Sequence, residues 1–542
     1  MPAFVRRLYF TLPIFFLCLL TAVSCNAPRS LSTDDSAVNP GPATPLRQNA
    51  NPDFPDTGNA VQTNEAAALR SEIDLIINES NLSGARWGIY VTMPDGQLLY
   101  ARNGNSTLIP ASNMKLFTTA IGLDLLGPDY RWRTSVFAAE NPDSSGTVNG
   151  DLTLFGRGAP DLNSAGVAGK QAQLSVLANA LYLRGVRRIN GDIIGDESYF
   201  RAERYGDGWL WNDLQWYYGA TPSALTVNGN EIGVEIGPGT TQGAPAAVKL
   251  SYDSALFSVK NDALTAEKSD AMTVGVERGL SGNDLHIWGN YPLAGSSVTA
   301  RIAVYNPALL AATLFRDALS ARGIVISGNV THRDFRTAGY PQAGGAKSQV
   351  ELASVESHSL AEIIKETNKD SINLNAELIF RTIGKERGYT APDPNPRKMS
   401  ERGDDDAAQA VERKWLRDNR IDTELLSIKD GCGLSRLDIV TPEATARLLL
   451  AMSRSKWGKL FLESLPEGAR DGTLKGRLTN LGGHRVFAKT GTLTYVNSLS
   501  GFALTRNNKQ LIFSIYCNDE TAAITATPVI DSVVSALVRY PG

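Results

Sequence analysis

A serine and a lysine in the stretch PASNMKLFTTA have the types and spacing of a nucleophile and its base. Ser112 and Lys115 are three positions apart, so on a helix the amine can reach the hydroxyl, and a buried, neutral lysine can accept the serine proton. The spacing alone leaves two interpretations open, an active pair or an N-cap serine beside a lysine that extends to solvent. Ser453 and Lys456 show the same spacing, but they follow a periodic helix and precede polar sequence, so we interpret them as a solvated helix end.

Two further short motifs follow along the chain. Lys489, Thr490 and Gly491 form a K-T-G motif in a strand-like run, and Ser371 and Asn373 form an S-x-N motif in a loop between two helical patterns. Together with S-x-x-K, motifs of these types are characteristic of serine β-lactamases and penicillin-binding proteins. Two other S-x-N matches lie in glycine turns rather than between helices, and we exclude them on that ground: Ser281 to Asn283 and Ser327 to Asn329.

The elements that must position these residues can be predicted from hydrophobic periodicity. An amphipathic helix is expected over 65–79 and a β-hairpin over 87–102. The stretch 114–126 is apolar on nearly every side and ends at Gly127, which predicts a central, buried helix. Three strand-like runs and a helix close the sequence. The simplest architecture is one antiparallel sheet, covered by helices, that combines the N-terminal hairpin with the C-terminal strands.

The character of the sequence changes between the S-x-x-K and S-x-N motifs. Residues 136–300 form short strand-like runs with frequent Gly, Asn and Asp, which predicts a separate, β-rich inserted module. Helical periodicity returns at 305–323, where we expect the main domain to resume. The prediction is therefore a catalytic domain in two parts, 65–135 and 301–542, on either side of the insertion. Within the insertion, we interpret the aromatic cluster GWLWNDLQWYY as a domain junction rather than a sugar-binding platform.

The N-terminus has the features of an export signal. Residues 1–25 contain two arginines, a long apolar run and a final Ser-Cys, and they are expected to lie outside the fold. Cys25 ends a sequence that resembles a lipoprotein cleavage box, so it is a candidate lipidation site, with ordinary signal cleavage nearby as the alternative. Residues 26–64 are rich in Pro, Asn, Ser, Asp and Thr, which predicts a flexible linker. We therefore expect a protein exported to the periplasm or cell envelope, and tethered to a membrane if Cys25 is lipidated.

The bulk composition excludes several classes of protein. With 542 residues, 42% hydrophobic and 20% charged, the chain can bury more than one core. The net charge of −3, from 53 basic and 56 acidic residues without long blocks of one sign, provides no electrostatic site for nucleic acid. The four histidines are scattered and form neither H-E-x-x-H nor a pairing with Ser112, so neither a metal nor another cofactor is expected.

Longer segments carry a resemblance to a known family. They are PASNMK, ESHSLAEIIKETNKDSINLNAELI, DGCGLSRLDIVTP, FAKTGTLTYVNSLSGF, GDLTLFGRGAPDL and GWLWNDLQWYYGATPSALTVNGN. Over nearly all of residues 66–540 the sequence resembles the D-alanyl-D-alanine carboxypeptidase/endopeptidase family, the low-molecular-mass class C penicillin-binding proteins. The resemblance implies an α+β, penicillin-binding/β-lactamase-like transpeptidase fold with a large insertion. It also implies cleavage of peptidoglycan stem peptides and covalent inhibition by penicillins, but not whether carboxypeptidase or endopeptidase cleavage dominates.

By position, the resemblance implies a role for each motif residue. Ser112 would be the nucleophile and Lys115 its general base in acylation, and the backbone N–H groups of Ser112 and Thr492 would form the oxyanion hole. Ser371 would relay a proton to the leaving amine, and Asn373 would orient Lys115 and the substrate amide. The K-T-G strand would supply a positive charge and the substrate-binding groups, from Lys489, Thr490, Gly491 and Thr492.

The cysteines after the predicted signal are few. Cys432 stands where the family usually has serine, and we interpret it as a small loop residue beside the site rather than a redox or thiol group. Cys517 is the other, so disulfides are not expected to hold this fold together.

Two alternative functions remain open at this point. A serine β-lactamase would share the chemistry, and rapid turnover of a chromogenic cephalosporin without lasting label would favour it. A non-catalytic cell-wall binding protein would keep a relic site. Peptidoglycan binding that Ser112→Ala leaves unaltered, with no D-alanine release by the parent protein, would favour that reading.

Overall fold

The computed structural model describes residues 60–166, 172–252, 256–337, 349–388, 403–481, 485–521 and 525–542. The predicted signal, Cys25 and nearly all of the predicted linker lie outside these residues. No helix among the described residues is long and apolar enough to span a membrane. The helices are α1 (Asn64–Asn78), α2 (Met114–Leu126), α3 (Gln173–Leu183), α4 (Pro307–Ala321), α5 (Leu360–Lys369), α6 (Asn373–Arg387), α7 (Asp404–Asp418), α8 (Pro442–Arg454), α9 (Gly458–Ser464) and α10 (Thr527–Arg539).

The strands fall into two groups, one near the two ends of the described chain and one between them. The first group is β1 (Arg86–Thr92), β2 (Leu98–Arg102), β19 (Val486–Leu493), β20 (Val496–Leu504) and β21 (Gln510–Asn518). The second group is β3 (Arg133–Ala138), β4 (Thr147–Val148), β5 (Leu152–Phe155), β6 (Arg188–Ile189), β7 (Ile193–Asp196), β8 (Glu231–Gly237), β9 (Ala247–Leu250), β10 (Ser258–Asn261), β11 (Leu264–Ala266), β12 (Gly275–Arg278), β13 (Asp284–Trp288), β14 (Asn290–Pro292), β15 (Val298–Ala303), β16 (Val325–Ile326), β17 (Val330–Arg333) and β18 (Val350–Glu356).

A five-stranded antiparallel sheet is formed by the first group of strands. Its order is β19-β20-β21-β1-β2, so the N-terminal hairpin lies directly against the C-terminal strands, as predicted. Ile89 pairs with Ile515, and Ile515 pairs with Leu499, which places apolar side chains of three strands in one layer. α1 and α10 cover this face, where Ile73 and Val533 are fully buried in the same cluster. A sheet covered by helices agrees with the predicted α+β class.

α2 lies in a second core, on the other face of the same sheet. All of its residues from Met114 to Leu123 are buried, and Gly127 follows it with a φ of 85°. Residues of α5 to α9 pack around it in one cluster that includes Phe117 of α2 and Phe502 of β20. Because helices and sheet enclose α2, its N-terminal turn is held rigidly, and this turn carries the S-x-x-K motif.

Within the described ranges, the insertion contains its own sheets, the helices α3 and α4, and separate hydrophobic cores. A five-stranded sheet of order β17-β7-β5-β3-β18 mixes parallel and antiparallel pairs, and α3 and α4 pack against it through Leu177 and Phe315. A smaller core lies among short strands further along, where Ile236, Ile287 and Tyr291 are buried together. The insertion is therefore more than a β-rich elaboration, because helices complete its larger core.

The return to the catalytic domain is predicted at residue 301. α4 and strands β16 to β18 follow that position, yet they belong to the sheets and the core of the insertion. Leu310 and Phe315 of α4 are fully buried in one cluster with Val136 and Leu154. Helical periodicity identifies an amphipathic helix but does not show which sheet it packs on. The insertion extends to β18, and the catalytic domain resumes at α5.

Candidate active site

Ser112 lies in the turn that leads into α2. Ala111–Asn113 form a 3-10 turn, and Ala111 has a φ of 49°, in the left-handed region that residues with a Cβ rarely adopt. Gly433 packs so closely that a Cβ there would lie 1.8 Å from the Ala111 carbonyl oxygen. A Cβ at Gly491 would lie 3.0 Å from the backbone nitrogen of Ser112. The two glycines let a loop and β19 approach the turn, which gives Gly491 of the K-T-G motif a packing role.

Lys115 is fully buried one helical turn after Ser112. Its Nζ lies 2.9 Å from Ser112 Oγ, 2.6 Å from Asn373 Oδ1 and 2.7 Å from the Cys432 carbonyl oxygen. A neutral amine has two N–H donors and one lone pair. It can therefore donate to the amide and carbonyl oxygens, which only accept, and receive the hydroxyl hydrogen of Ser112. The alternative of a lysine that extends to solvent does not fit this arrangement.

The pKa values of two lysines of the site are shifted downward. Burial lowers the pKa of Lys115, and nearby acidic groups, led by Cys432 and Asp430, counter this only in part. Burial and the charge of Lys115 lower the pKa of Lys489 well below its ordinary value. Two ammonium groups in one buried site repel each other, so each disfavours the charged form of the other.

The rate of acylation by a penicillin is expected to rise with pH along an acid limb whose midpoint lies below 10.5, the ordinary pKa of lysine. Only neutral Lys115 can accept the Ser112 proton, and a lowered pKa makes the neutral form abundant at lower pH. Second-order rate constants of acylation, measured across the pH range in which tryptophan fluorescence shows a folded protein, check this. A limb centred near 10.5 would contradict the expected shift.

The S-x-N motif connects α5 to α6, as predicted. Ser371 has a φ of 58°, and its Oγ accepts a hydrogen bond from Lys489 Nζ at 2.8 Å. Asn373 begins α6, and its Nδ2 donates to the Tyr218 carbonyl oxygen at 2.8 Å while Oδ1 faces Lys115. The contact with Tyr218 fixes which end of the amide meets the lysine. The insertion thus helps to orient the amide.

β19 presents the K-T-G motif beside this loop. Lys489 is fully buried and also donates to the Thr490 carbonyl oxygen at 2.9 Å. The Thr490 hydroxyl donates to Thr473 Oγ1 at 2.8 Å, and the Thr492 hydroxyl donates to Asn497 Oδ1 at 3.2 Å. Residues two positions apart on a strand share a face, so β19 offers both threonine hydroxyls on one side.

A cavity of about 830 Å³ opens at the catalytic motifs, with Ser112 and Ser371 among its lining residues. Asp213 from the insertion and Arg436 from the catalytic domain line the same cavity, as does Tyr218. Burial raises the pKa of Asp213, although the Tyr218 hydroxyl and the charge of Arg436 oppose this. The cavity therefore carries both signs of charge near the serine, and both domains build its walls.

The sequence analysis missed a group of buried acidic residues behind Lys115. They are all 2% exposed or less, and they are Glu377, Glu412, Asp430 and Asp438. Burial raises the pKa of Glu377 to about 8. The spacing of Glu377, four positions after Asn373 on α6, is a signal that could have placed it on the face that meets the lysine.

Cys432 and Cys517 are buried free thiols. Burial raises the pKa of Cys432 well above its ordinary value, and its carbonyl oxygen rather than its thiol contacts the catalytic lysine. Single ligand atoms of Cys432, Glu377 and Asp430 lie within 4.8 Å of one another, the arrangement in the described residues closest to a metal site. Both oxygens of Asp430 already accept backbone N–H groups, and the thiol is protonated, so these residues form a hydrogen-bonded group rather than a ready set of ligands.

Comparisons with known proteins agree with this geometry. A family model described as the D-Ala-D-Ala carboxypeptidase 3 (S13) family matches residues 69–537. This chain belongs to the S13 family. A D-alanyl-D-alanine carboxypeptidase of Actinomadura sp. strain R39 is 33% identical over 487 residues, which cover 88% of this S13 chain and 85% of the relative. The D-alanyl-D-alanine carboxypeptidase DacB of Haemophilus influenzae is 25% identical over 431 residues, 78% and 83% of the two chains.

Solved structures show the same fold for this S13 chain. Penicillin-binding protein 4 of Haemophilus influenzae superposes with a TM-score of 0.71 at 22% identity, covering 88% of this chain and 99% of that one. The complex of that protein with a β-lactam gives a TM-score of 0.67 at 21% identity. The predicted penicillin-binding fold class is confirmed.

The S13 chain is therefore a serine-type D-Ala-D-Ala carboxypeptidase, a hydrolase that acts on peptidoglycan, and the predicted family and enzyme class are confirmed. Its relatives are cell-wall enzymes, which implies an exported protein. The structure brings Ser112, Lys115 and Asn373 into direct contact and Lys489 into contact with Ser371. One cavity is lined by Ser112, Ser371 and Asn373. The roles of these residues, and lipidation at Cys25, stay predictions.

Proposed function

We propose that this carboxypeptidase cleaves the terminal D-Ala-D-Ala bond of stem peptides through an acyl-enzyme on Ser112. The observation that carries the proposal is the set of three contacts around Lys115 Nζ. Lys115 takes the hydroxyl proton as Ser112 Oγ bonds to the carbonyl carbon. The backbone N–H groups of Ser112 and Thr492 stabilise the oxyanion, and a typical donor of this kind contributes about 3 kcal/mol.

Release of the terminal D-alanine requires a proton on its nitrogen. The proton that Lys115 has taken returns to this nitrogen through the hydroxyl of Ser371, which Lys489 contacts at 2.8 Å. The C–N bond breaks and the penultimate alanine stays esterified to Ser112. Water then adds to the ester carbonyl and gives a proton to the base, and Ser112 Oγ leaves as a hydroxyl once that proton reaches it.

The terminal carboxylate of the substrate is assigned to the hydroxyls of Thr490 and Thr492, beside Lys489. A bound carboxylate favours the ammonium form of Lys489 because opposite charges attract at short range. That ammonium in turn disfavours a proton on Lys115, so substrate binding keeps the base neutral. In the proposed order of events, the terminal carboxylate of the substrate binds first, and its binding prepares Lys115 for acylation.

The charged walls of the cavity supply a criterion for the stem peptide. Asp213 and Arg436 line the cavity that opens at Ser112. A side chain that ends in both an ammonium and a carboxylate, such as diaminopimelate, can pair with both, whereas lysine leaves Arg436 without its partner. The volume of about 830 Å³ lies at the upper end of the range for ligand pockets, so a cross-linked peptide is also a candidate substrate.

For the location of the enzyme, we propose export through the signal at 1–25. Lipidation of Cys25 would anchor the mature chain, and the linker at 26–64 would hold the catalytic domain away from the membrane surface. The support for this is the sequence pattern, since these residues precede the S13 match.

Pentapeptide muropeptides incubated with the purified protein are expected to lose one C-terminal alanine, because Ser112, the proposed nucleophile, lines the cavity and is accessible to a substrate carbonyl. Mass spectrometry of the products gives initial rates. Substrates with diaminopimelate or lysine at the third position test the charged walls, and cross-linked dimers report endopeptidase cleavage. The Ser112→Ala variant sets the background.

Unchanged pentapeptides in a preparation that still binds penicillin would contradict the carboxypeptidase proposal. Equal rates for the diaminopimelate and lysine substrates would contradict only the proposal that Asp213 and Arg436 recognise the side chain at the third position. Rapid hydrolysis of a chromogenic cephalosporin would favour a β-lactamase instead.

A further inference from the structure

Asp430 is a buried side chain that organises the loop behind Lys115. Its Oδ1 accepts hydrogen bonds from the backbone N–H groups of Cys432 at 3.0 Å and Gly433 at 2.6 Å. Its Oδ2 accepts from the backbone N–H of Ser435 at 2.7 Å and from the indole N–H of Trp209 at 2.8 Å. Four N–H donors converge on two oxygens, so both oxygens of Asp430 act as hydrogen-bond acceptors.

The loop that Asp430 holds forms one wall of the catalytic pair. The Cys432 carbonyl oxygen, one of the three partners of Lys115 Nζ, is fixed by the hydrogen bond that its own residue donates to Asp430. Gly433, the next residue, touches the carbonyl oxygen of Ala111. A shift of this loop would therefore move both the partner of the base and the turn that carries the nucleophile.

Gly431, near the start of the 430–435 loop, is held by hydrogen bonds to two helices. The N–H of Gly431 donates to Glu377 Oε1 at 2.8 Å, and its carbonyl oxygen accepts from the Thr118 hydroxyl at 2.9 Å. The helices α6 and α2 thus fix the entry to the loop. Asp430 fixes the loop from within, and through Trp209 it also connects the loop to the insertion.

Five titratable groups on several elements face Lys115. They are Lys489 on β19, Glu377 on α6, and Asp430, Cys432 and Asp438 in the loop region. Burial raises the pKa of Cys432 and of Asp438 well above their ordinary values, and raises that of Glu377 to about 8. Burial thus favours the neutral form of these three groups, whereas both oxygens of Asp430 are taken up by N–H donors.

We propose that Asp430 is a positioning residue for Lys115: its carboxylate fixes the 430–435 loop so that the Cys432 carbonyl meets Nζ, and the acidic group itself lies behind the base. Asp430 touches neither the substrate cavity nor the nucleophile, so it has no part in the mechanism proposed above. The inference rests on that mechanism only for the assignment of Lys115 as the base.

Asp430→Asn is expected to lower the second-order rate constant of penicillin acylation by about 10- to 100-fold, because a displacement of about 1 Å at a catalytic group can cost about 100-fold. The acid limb of the pH profile is expected to move to lower pH. Burial lowers the pKa of Lys115 and the charge of Asp430 raises it, so loss of that charge lowers the pKa further. Stopped-flow acylation across pH measures both effects on the full-length protein.

Glu412→Gln is the matched control. Glu412 is fully buried on α7, and burial raises its pKa well above the ordinary value, which favours the neutral carboxyl that the amide of glutamine resembles. Its carboxyl oxygens have no hydrogen-bond partner among the described residues. This variant is expected to keep the rate and the pH profile of the parent.

An Asp430→Asn variant with the acylation rate and the acid limb of the parent would overturn the proposal. A lowered rate with an unchanged acid limb would also overturn it, because that result indicates a purely structural role. If thermal unfolding shows that Asp430→Asn does not fold, Trp209→Phe removes one donor to Asp430 and is expected to lower the rate about threefold to tenfold. A Trp209→Phe variant that is acylated at the rate of the parent protein would then overturn the proposal. Labelling of Ser112→Ala would instead refute the proposed function and leave the loop geometry as it is.

Discussion

Ser112→Ala is expected to abolish covalent labelling by a fluorescent penicillin and to lower D-alanine release by about 10⁶-fold, the loss seen when the nucleophile of a serine hydrolase is removed. Without the hydroxyl no ester can form, and Ser371 cannot take its place because its hydroxyl faces Lys489 rather than Lys115. Fluorescence of the denatured protein on a gel measures the label, and mass spectrometry measures the released alanine.

Ser453→Ala provides a control with the same S-x-x-K spacing. Ser453 lies in the last turn of α8, where its hydroxyl donates to the Leu450 carbonyl oxygen at 2.8 Å. This variant is expected to label like the parent. A labelled Ser112→Ala variant would refute the nucleophile assignment, and loss of label in Ser453→Ala would show that the assay reports folding rather than chemistry.

Lys115→Met is expected to slow acylation by about 10²- to 10⁴-fold, the range that a positioned general base contributes. Methionine keeps most of the volume of the buried side chain, so packing around α2 is preserved while the proton acceptor is lost. The rate constant of penicillin acylation is the measurement. Thermal unfolding of the same sample separates lost chemistry from lost structure.

Lys456→Met is the corresponding control, because Lys456 follows Ser453 by the same three positions. Its ammonium lies 4.8 Å from the centre of the Trp457 ring and takes no part in the buried site. Its removal is expected to leave acylation unchanged. Normal acylation by a folded Lys115→Met protein would exclude the lysine as the base and would require another acceptor for the serine proton.

The central sheet and the catalytic motifs could be predicted because their signals are local. Alternation over 87–102 predicted the hairpin of β1 and β2, and the wholly apolar helix α2 predicted its own burial. Three motifs in a fixed order then indicated which polar residues meet. The structure places Lys115 within 2.9 Å of Ser112, and Lys489 within 2.8 Å of Ser371.

The features that escaped prediction depend on which elements meet in space. The hydrophobic periodicity of α4 would be the same whichever sheet the helix covered. The sequence therefore predicted the return to the catalytic domain ahead of α4. Asp430 lies in D-G-C-G, a sequence typical of an exposed turn. Asp430 is buried and accepts a hydrogen bond from Trp209 of the insertion. The two residues are far apart in the sequence, so no local pattern predicts that they meet.

The order of strands in the central sheet has a consequence for how the newly made chain matures. β1 becomes an interior strand only after β21 has been synthesised, and Lys489 arrives on the same late segment. Pairing between such distant positions forms slowly, because the intervening chain must first be brought together. A nascent or truncated polypeptide would therefore expose an unpaired strand edge and have no working catalytic centre. Such fragments would be catalytically inactive and accessible to proteases. Hydrolysis of the cell wall would therefore begin only with the full-length protein.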